Sequence, residues 1–168
     1  MKQIITLLTI LIILFTTSIN ATVWRANNRP NLDADFTTLQ DAIDGASNGD
    51  TLYIGGSTTA YGNGTFNKQL VVIGAGYWLA ENATTQAYKE ESQVGKLIFN
   101  VGSEGSIIEG LHISHGTGSF NLIEININNI TILKNYINCR NTYTYTIYGI
   151  RIIGNRPNII IKQNWITT

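Results

Sequence analysis

Few residues of this chain have the types and the spacing that metal binding or proton transfer requires. His112 and His115 are three residues apart, which is close to a metal-ligand spacing. A β-strand would direct the two rings to opposite faces, and no carboxylate or thiol is placed to complete a tetrahedral set. We therefore predict turn or surface histidines and no metal site.

Aromatic side chains are the second group that could bind a ligand, because their flat apolar faces can stack on sugar rings. Thr and Tyr alternate over residues 140–148, which predicts an extended strand or a protruding hairpin arm. The predicted substrate-binding residues are Tyr143, Tyr145, Tyr148 and Arg151. Further candidates for stacking are Trp78 and Trp165.

The run LVVIGAG at residues 70–76 ends in the Gly-x-Gly pattern of a dinucleotide-binding turn. The third glycine of that pattern would fall at Leu79, and Tyr77 and Trp78 crowd the turn. No alternation of strands and helices follows it. We therefore predict a turn at the end of a strand and no bound dinucleotide.

Length and composition indicate one exported domain. An apolar run at residues 4–15 is too short to span a membrane and predicts a secretory signal peptide, residues 1–21, cleaved after Ala21. Residues 22–168 then form one domain. The balance of 11 basic and 11 acidic residues argues against a nucleic-acid partner, and Cys139 is predicted to be buried. We expect a secreted or cell-surface protein with no stable membrane span after cleavage.

Residues 35–54 predict an amphipathic helix followed by the first strand of the domain. Thr37 is the predicted N-cap, with Gln40 as its capping-box partner. Gly45 and the run at residues 47–50 end the helix, and Thr51–Ile54 is the strand. A helix this short needs its apolar face buried. The spacing of three and four places on that face Phe36, Leu39, Ala42, Ile43 and Ala46.

The order of these motifs resembles the start of right-handed parallel β-helix proteins of the pectin-lyase-like type. The resemblance rests on DFTTLQDAI at residues 35–43 and NGDTLYI at residues 48–54. It implies an all-β fold, a right-handed parallel β-helix solenoid whose N-terminal end is capped by the α-helix. It also implies a polysaccharide as partner.

Isoleucine-rich segments repeat along the rest of the chain. ITILKNYI at residues 130–137 aligns with IIIKQNWI at an offset of 29, and SIIEGLHI at residues 106–113 aligns at an offset of 24. The alignment predicts interior isoleucine ladders and a polar corner ladder of Asn135 over Asn164. No cap follows the last repeat, so we expect the chain to be truncated at its C-terminus. A further strand in each repeat is predicted at Phe99 and Val101, at Ile123 and Ile125, and at Ile150 and Ile152.

The acidic residues do not gather as they would in a polysaccharide lyase, which needs carboxylates for calcium or a uronate and a lysine or arginine base. The predicted register instead places Asn100 over Glu124. One expectation is an exported β-helix protein that acts on or binds an extracellular polysaccharide, as a lyase or glycoside hydrolase if it is an enzyme. The alternative is a non-catalytic surface or adhesion module, or an inactive fragment. No cofactor is predicted, except Ca²⁺ if the full-length protein is a lyase.

Overall fold

The computed structural model describes residues 21–82, 84, 88–114, 121–140 and 148–167. In these ranges the chain forms short β-strands, the α-helix α1 (Leu39–Gly45) and a 3-10 helix (Leu79–Glu81). The predicted signal peptide lies outside the described residues, apart from Ala21. No helix among the described residues is long and apolar enough to cross a membrane. The strands in chain order are β1 (Val23–Ala26), β2 (Thr51–Ile54), β3 (Gly64–Phe66), β4 (Val71–Gly74), β5 (Gln93–Val94), β6 (Leu97–Phe99), β7 (Ile107–Glu109), β8 (His112–Ser114), β9 (Asn121–Ile125), β10 (Thr131–Leu133), β11 (Tyr136–Asn138), β12 (Tyr148–Ile152), β13 (Ile160–Lys162) and β14 (Trp165–Thr167).

These strands build three sheets in which every pairing is parallel. Sheet 1 has the order β1-β2-β4-β7-β10-β13, sheet 2 the order β5-β8-β11-β14, and sheet 3 the order β3-β6-β9-β12. From β4 onward the chain visits sheets 1, 2 and 3 in that order and then begins again. The fold is therefore predominantly β, with stacked parallel sheets that are compatible with a β-helix-like solenoid.

The predicted isoleucine ladders are confirmed by the register of the strands. Their columns are Ile108–Ile132–Ile161 in sheet 1 and Ile113–Ile137–Ile166 in sheet 2. The first two members of each column are fully buried, whereas Ile161 and Ile166 are 41% and 49% exposed. Burying one such side chain contributes roughly 1.5–3 kcal/mol, so each column contributes most where a rung covers it on both sides.

The predicted register of sheet 3 is wrong by two residues at β6. Phe99 pairs with Ile125, and Ile98 rather than Asn100 pairs with Glu124. Val101 lies in a turn and is 81% exposed, so it is not part of a strand. Asn100 instead accepts a hydrogen bond of 3.0 Å from the Asn126 amide.

The predicted amide ladder of Asn135 over Asn164 is confirmed. The fully buried Asn135 side chain accepts from the Leu111 N–H at 3.0 Å and donates to the Ile108 carbonyl at 3.0 Å and to Asn164 Oδ1 at 3.1 Å. The left-handed backbone angle of the corner belongs to the preceding residue, Lys134, with φ 52°. The amide therefore joins three successive rungs through groups that would otherwise be buried without partners.

Helix α1 covers the start of sheet 3, where the sequence predicts a cap. The pairing of its N-cap differs from the prediction, because Thr38 Oγ1 accepts from the Asp41 N–H at 3.1 Å and donates to the Asp41 carboxylate at 2.7 Å. Gln40 instead accepts from the N–H of Thr65 in β3 at 2.9 Å. A Cβ atom at Gly64 would lie 2.8 Å from the Leu39 side chain, so the strand begins with glycine where the helix packs most closely. The helix residues that are buried in the core are Leu39, Ala42 and Ile43.

The carboxylate of Asp50 binds groups from the segment before α1 and from the segment after it. Asp50 accepts from the Thr22 N–H at 2.7 Å, from Trp24 Nε1 at 2.8 Å and from the Ser47 N–H at 2.8 Å. Burial by itself would raise the pKa of the Asp50 carboxyl, but these hydrogen bonds and the charge of Lys68 lower it below its ordinary value. Asp50 is therefore ionised in the folded protein and connects β1 to the turn before β2.

Replacing Asn135 by alanine tests the amide ladder. Asn135→Ala leaves the buried Leu111 N–H and Ile108 carbonyl without their partner, so the free energy of unfolding should fall by about 2–4 kcal/mol. Urea denaturation followed by circular dichroism measures this loss. The matched control is Asn67→Ala at an exposed position, where a change within about 0.5 kcal/mol is expected. Equal losses in the two variants would contradict the ladder.

Acid titration tests the Asp50 anchor. Because the folded pKa lies below the unfolded value of about 3.9, the carboxylate stabilises the fold fully above that value and loses its effect as the pH falls through the folded pKa. Asp50→Asn should therefore reduce the free energy of unfolding by about 1–3 kcal/mol at neutral pH, and the difference from wild type should shrink below about pH 4. Asp44→Asn, at an exposed helix position, is the control. A difference that is independent of pH would refute this assignment.

Candidate functional site

The outer face of sheet 2 carries a column of large side chains. Its strands pair in register, which places Gln93, His112, Tyr136 and Trp165 in one row across four rungs. Their neighbours along the strands point inward and form the buried ladder that includes Ile113. The alternation of a β-strand thus makes one outer column for each inner one.

Two residues from the turn after β4 complete this surface. The ring of Trp78 lies 4.6 Å from Trp165 and 5.9 Å from Tyr136, and Tyr77 lies 6.1 Å from Tyr136. The His112 ring lies 4.5 Å from Tyr136 on the other side. We call these five residues the aromatic face. The other four rings are half-buried, and Trp165, on the last rung of sheet 2, is 49% exposed, so the face is partly accessible to solvent.

The turn reaches the aromatic face through an unusual backbone conformation. Gly76 and Trp78 both have left-handed angles, with φ of 107° and 55°. The left-handed region costs a non-glycine residue roughly 1–2 kcal/mol, so Trp78 must be held there by its contacts. Leu79 is buried directly after it, and the Trp78 N–H donates to the Glu91 carboxylate. These two contacts fix the indole at the edge of the face.

Glu91 connects the turn to the strand column. One of its oxygens accepts from the Trp78 N–H, and the other lies 2.6 Å from His112 Nδ1. His112 Nε2 is buried and has no hydrogen-bond partner among the described residues. Glu91 therefore positions both the turn that carries Trp78 and the ring of His112.

A polar pocket of about 330 Å³ adjoins the aromatic face. It shares His112 with the face and is also lined by Glu91, and Ser57 and Thr58 supply hydroxyl groups. The Lys89 ammonium lies in the same lining and donates to the Asn82 carbonyl at 2.6 Å. Flat apolar rings beside hydroxyl, amide and charged groups can bind a ligand that has one apolar face and many hydroxyl groups.

The predicted substrate-binding residues lie elsewhere. Tyr143 and Tyr145 fall outside the described residues. Tyr148 and Arg151 lie on β12 of sheet 3, where Tyr148 is 55% exposed and Arg151 is also exposed. In register, Tyr148 pairs with Asn121 and Arg151 pairs with Glu124. The structure therefore does not bring them to Trp78 and Trp165, which it does bring together.

The outer face of sheet 3 is a network of charges and amides. Glu124 binds the Lys96 ammonium at 3.1 Å and accepts from the Asn121 amide at 3.1 Å. Burial by itself would raise the pKa of Glu124, but the contacts with Lys96 and Asn121 lower it below its ordinary value. Glu124 is thus ionised and already engaged. Arg151 occupies the next rung of the same column.

A groove of about 700 Å³ lies on the outer face of sheet 1. The exposed side chains of Val23, Leu32 and Tyr53 line it, together with Arg25. At one wall the Arg29 guanidinium stacks at 3.5 Å on the Tyr88 ring. This groove is separate from the aromatic face, since it shares none of the five rings.

Two further predictions concern a metal site and the thiol of Cys139. Across the described ranges, no group of three or more His, Cys, Asp and Glu side chains is close enough to hold a metal ion. Cys139 is buried, as predicted, and burial raises the pKa of its thiol. His115 lies outside the described residues.

His112 does not lie in a turn, which was one of the two predicted settings, but on the outer face of sheet 2. His112 lies within β8, is half-buried and is paired with Glu91. The alignment of SIIEGLHI with ITILKNYI places His112 at the position of Tyr136, and this was the available signal that it joins an outer column. Glu91 had no comparable signal, because it belongs to a polar loop without a repeat partner.

Comparison with protein-family models, with curated proteins and with solved structures finds no match for this chain.

Removing the Glu91 carboxylate tests how Trp78 is held. Glu91→Ala takes the acceptor from the Trp78 N–H, so the left-handed turn should relax and the Trp78 indole should move away from Trp165. Two indoles 4.6 Å apart couple as excitons, and the far-ultraviolet circular dichroism couplet from this pair should be lost. Glu90→Ala is the matched control, because it removes the same charge from the adjacent residue. A couplet that survives in Glu91→Ala would refute the positioning role.

Proposed function

We propose that this protein is exported and binds an extracellular polysaccharide on the aromatic face, with sugar rings stacked over Trp78 and Trp165. The observation that carries the proposal is the contact of these two indoles at 4.6 Å, with Tyr77, Tyr136 and His112 around them. Sugar rings have apolar faces that pack on indole and phenol rings. Their hydroxyl groups would bind the side chains of the adjoining polar pocket.

The proposed fold is a right-handed parallel β-helix of the pectin-lyase-like type. Three features support it: the recurrent passage through sheets 1, 2 and 3, the amide ladder at one corner, and the position of α1 over the first rungs. A rigid coil of this kind keeps equivalent rings on successive rungs at a spacing of about 4.8 Å. That regular spacing suits an extended polymer better than a small ligand.

Export is part of the proposal. It is supported by the sequence of residues 1–21, which has the charged start, apolar run and small residue before the cleavage point that signal peptides share. The polysaccharide would therefore be met outside the cell, and the protein would be secreted or displayed at the cell surface.

We propose binding and not cleavage at this face. Both carboxylate oxygens of Glu91 are already hydrogen-bonded, one to Trp78 and the other to His112. Glu124 on sheet 3 is bound to Lys96 and Asn121. An acid or base catalyst must be able to exchange a proton with its substrate. Carboxylates that already accept these hydrogen bonds are better suited to holding neighbouring residues in place than to exchanging a proton with a substrate.

Alanine substitution of Trp165 tests the binding face. In calorimetric titration or affinity electrophoresis against soluble polysaccharides with neutral and with uronate backbones, wild type should bind at least one. Trp165→Ala should weaken that binding by roughly three- to tenfold, because one stacked ring contributes about 0.5–1.5 kcal/mol.

Two variants distinguish this face from the other sheets. Tyr53→Ala removes an aromatic side chain of sheet 1 whose exposure equals that of Trp165, at 49%, and should leave affinity unchanged. Tyr148→Ala tests the position predicted on sheet 3 and should also bind as wild type. A loss in Tyr148→Ala with none in Trp165→Ala would move the site to sheet 3. No binding to any polysaccharide would end the proposal.

A further inference from the structure

A nearly fully buried carboxylate helps to hold the first described residues to the body of the protein, together with the hydrogen bond of 2.8 Å from the Thr51 N–H to the Thr22 carbonyl. Asp50 is 2% exposed and receives the Thr22 N–H at 2.7 Å, the shortest of its three hydrogen bonds. Thr22 and Ala21 are themselves exposed. The backbone nitrogen of Thr22 therefore belongs to an exposed residue and binds a buried carboxylate through a partly buried hydrogen bond.

The same nitrogen becomes an α-amine if the chain is cut where the signal peptide is predicted to end. Hydrolysis of the Ala21–Thr22 peptide bond by a peptidase adds one water molecule. The Ala21 carbonyl carbon leaves as a carboxylate on the released segment, and Thr22 keeps its nitrogen as an ammonium group. No side chain needs to move for that ammonium to lie against Asp50.

We propose that cleavage after Ala21 converts the hydrogen bond between Thr22 and Asp50 into a partly buried ion pair that locks β1 onto sheet 1. This inference rests on the export that is part of the proposed function. The bond is already charge-assisted on its acceptor side, because Asp50 is ionised. A charged donor adds the attraction between two opposite charges, so the processed chain gains stability that the precursor lacks.

The charges around Asp50 leave room for this second cation. Lys68 is the other cation that acts on the carboxylate, but its ammonium is directed at the carbonyls of Ala46 and Asp44, at 2.7 and 3.1 Å. The remaining donors, from Trp24 and Ser47, are neutral. Asp50 thus has no direct ion-pair partner within 4.0 Å among the described residues until the α-ammonium is made.

The consequence reaches the sheet through β1. Val23–Ala26 pairs with β2 along its full length, and Trp24 is fixed by the same carboxylate. A stronger hold on Thr22 therefore reduces fraying of the strand at the edge of sheet 1. Processing would couple export to the final stability of the domain.

Two chains with defined N-termini test this inference. One begins at Thr22 and the other at Ala21, each released from a removable tag that leaves no extra residue. At pH 7 the Thr22 chain should have an unfolding constant about tenfold lower than the Ala21 chain in urea denaturation, a difference of about 1.4 kcal/mol. The carboxylate holds the ammonium charged, so the advantage should be full below the ordinary α-amino pKa of about 8 and should vanish at higher pH.

Asp50→Asn in both chains is the control, and it should abolish the difference between them. If that variant does not fold, the rate at which an acylating reagent modifies the α-amine at pH 8 replaces it, and the Thr22 chain should react at least tenfold more slowly. Equal unfolding constants and equal reaction rates would overturn the inference. Polysaccharide binding by the two chains is measured separately and should be the same, so failure of the proposed function would be recognised independently.

Discussion

The structure depends on parallel strands that stack in register, so that each residue lies over its equivalent in the next rung. This constraint acts on the interior first, because Ile108 and Ile132 can be fully buried only if successive rungs agree. A slip of one residue would turn the isoleucines outward. The same register also aligns the outward-facing side chains, so each interior column is accompanied by an equally regular column on the outer surface. The aromatic face and the charged column of Glu124 and Arg151 are both outer columns of this kind.

Polar groups inside such a stack must be satisfied by neighbouring rungs, since water does not reach them. Asn135 meets this demand at one corner by bonding to the rung before it and the rung after it. Asp50 meets it at the start of the fold by collecting donors from β1 and from the turn after α1. In both cases one side chain joins segments more than twenty residues apart in the chain, as the Thr22–Asp50 and Leu111–Asn135 bonds show. Hydrogen bonding therefore reinforces the order of rungs that apolar packing creates.

The repeated rungs could be predicted from the sequence because their spacing is visible in it. The offsets of 29 and 24 residues correctly paired Ile132 with Ile161 and Ile113 with Ile137. Sheet 3 was harder, because β6 pairs with β9 at an offset of 26 residues, Leu97 with Ile123, whereas the next strand pairs along the chain, β7 with β10 in sheet 1 and β8 with β11 in sheet 2, have an offset of 24. The N-cap was misplaced by one residue, because Thr37 and Thr38 offer the same hydroxyl. Thr38 is the cap in the structure, where it bonds to Asp41 while Gln40 bonds to Thr65 of β3.

The aromatic face could not be predicted because the residue that completes it breaks a local rule. Left-handed residues recur at corresponding corners of the repeats, as with Lys134 and Gln163, at φ of 52° and 56°. Trp78 has a left-handed angle without belonging to such a corner. Its position is set by Glu91, thirteen residues away, and by rings from two later rungs. Local strain that is sustained by several distant contacts is typical of sites with a function, and here it occurs where the widest group of aromatic rings meets solvent.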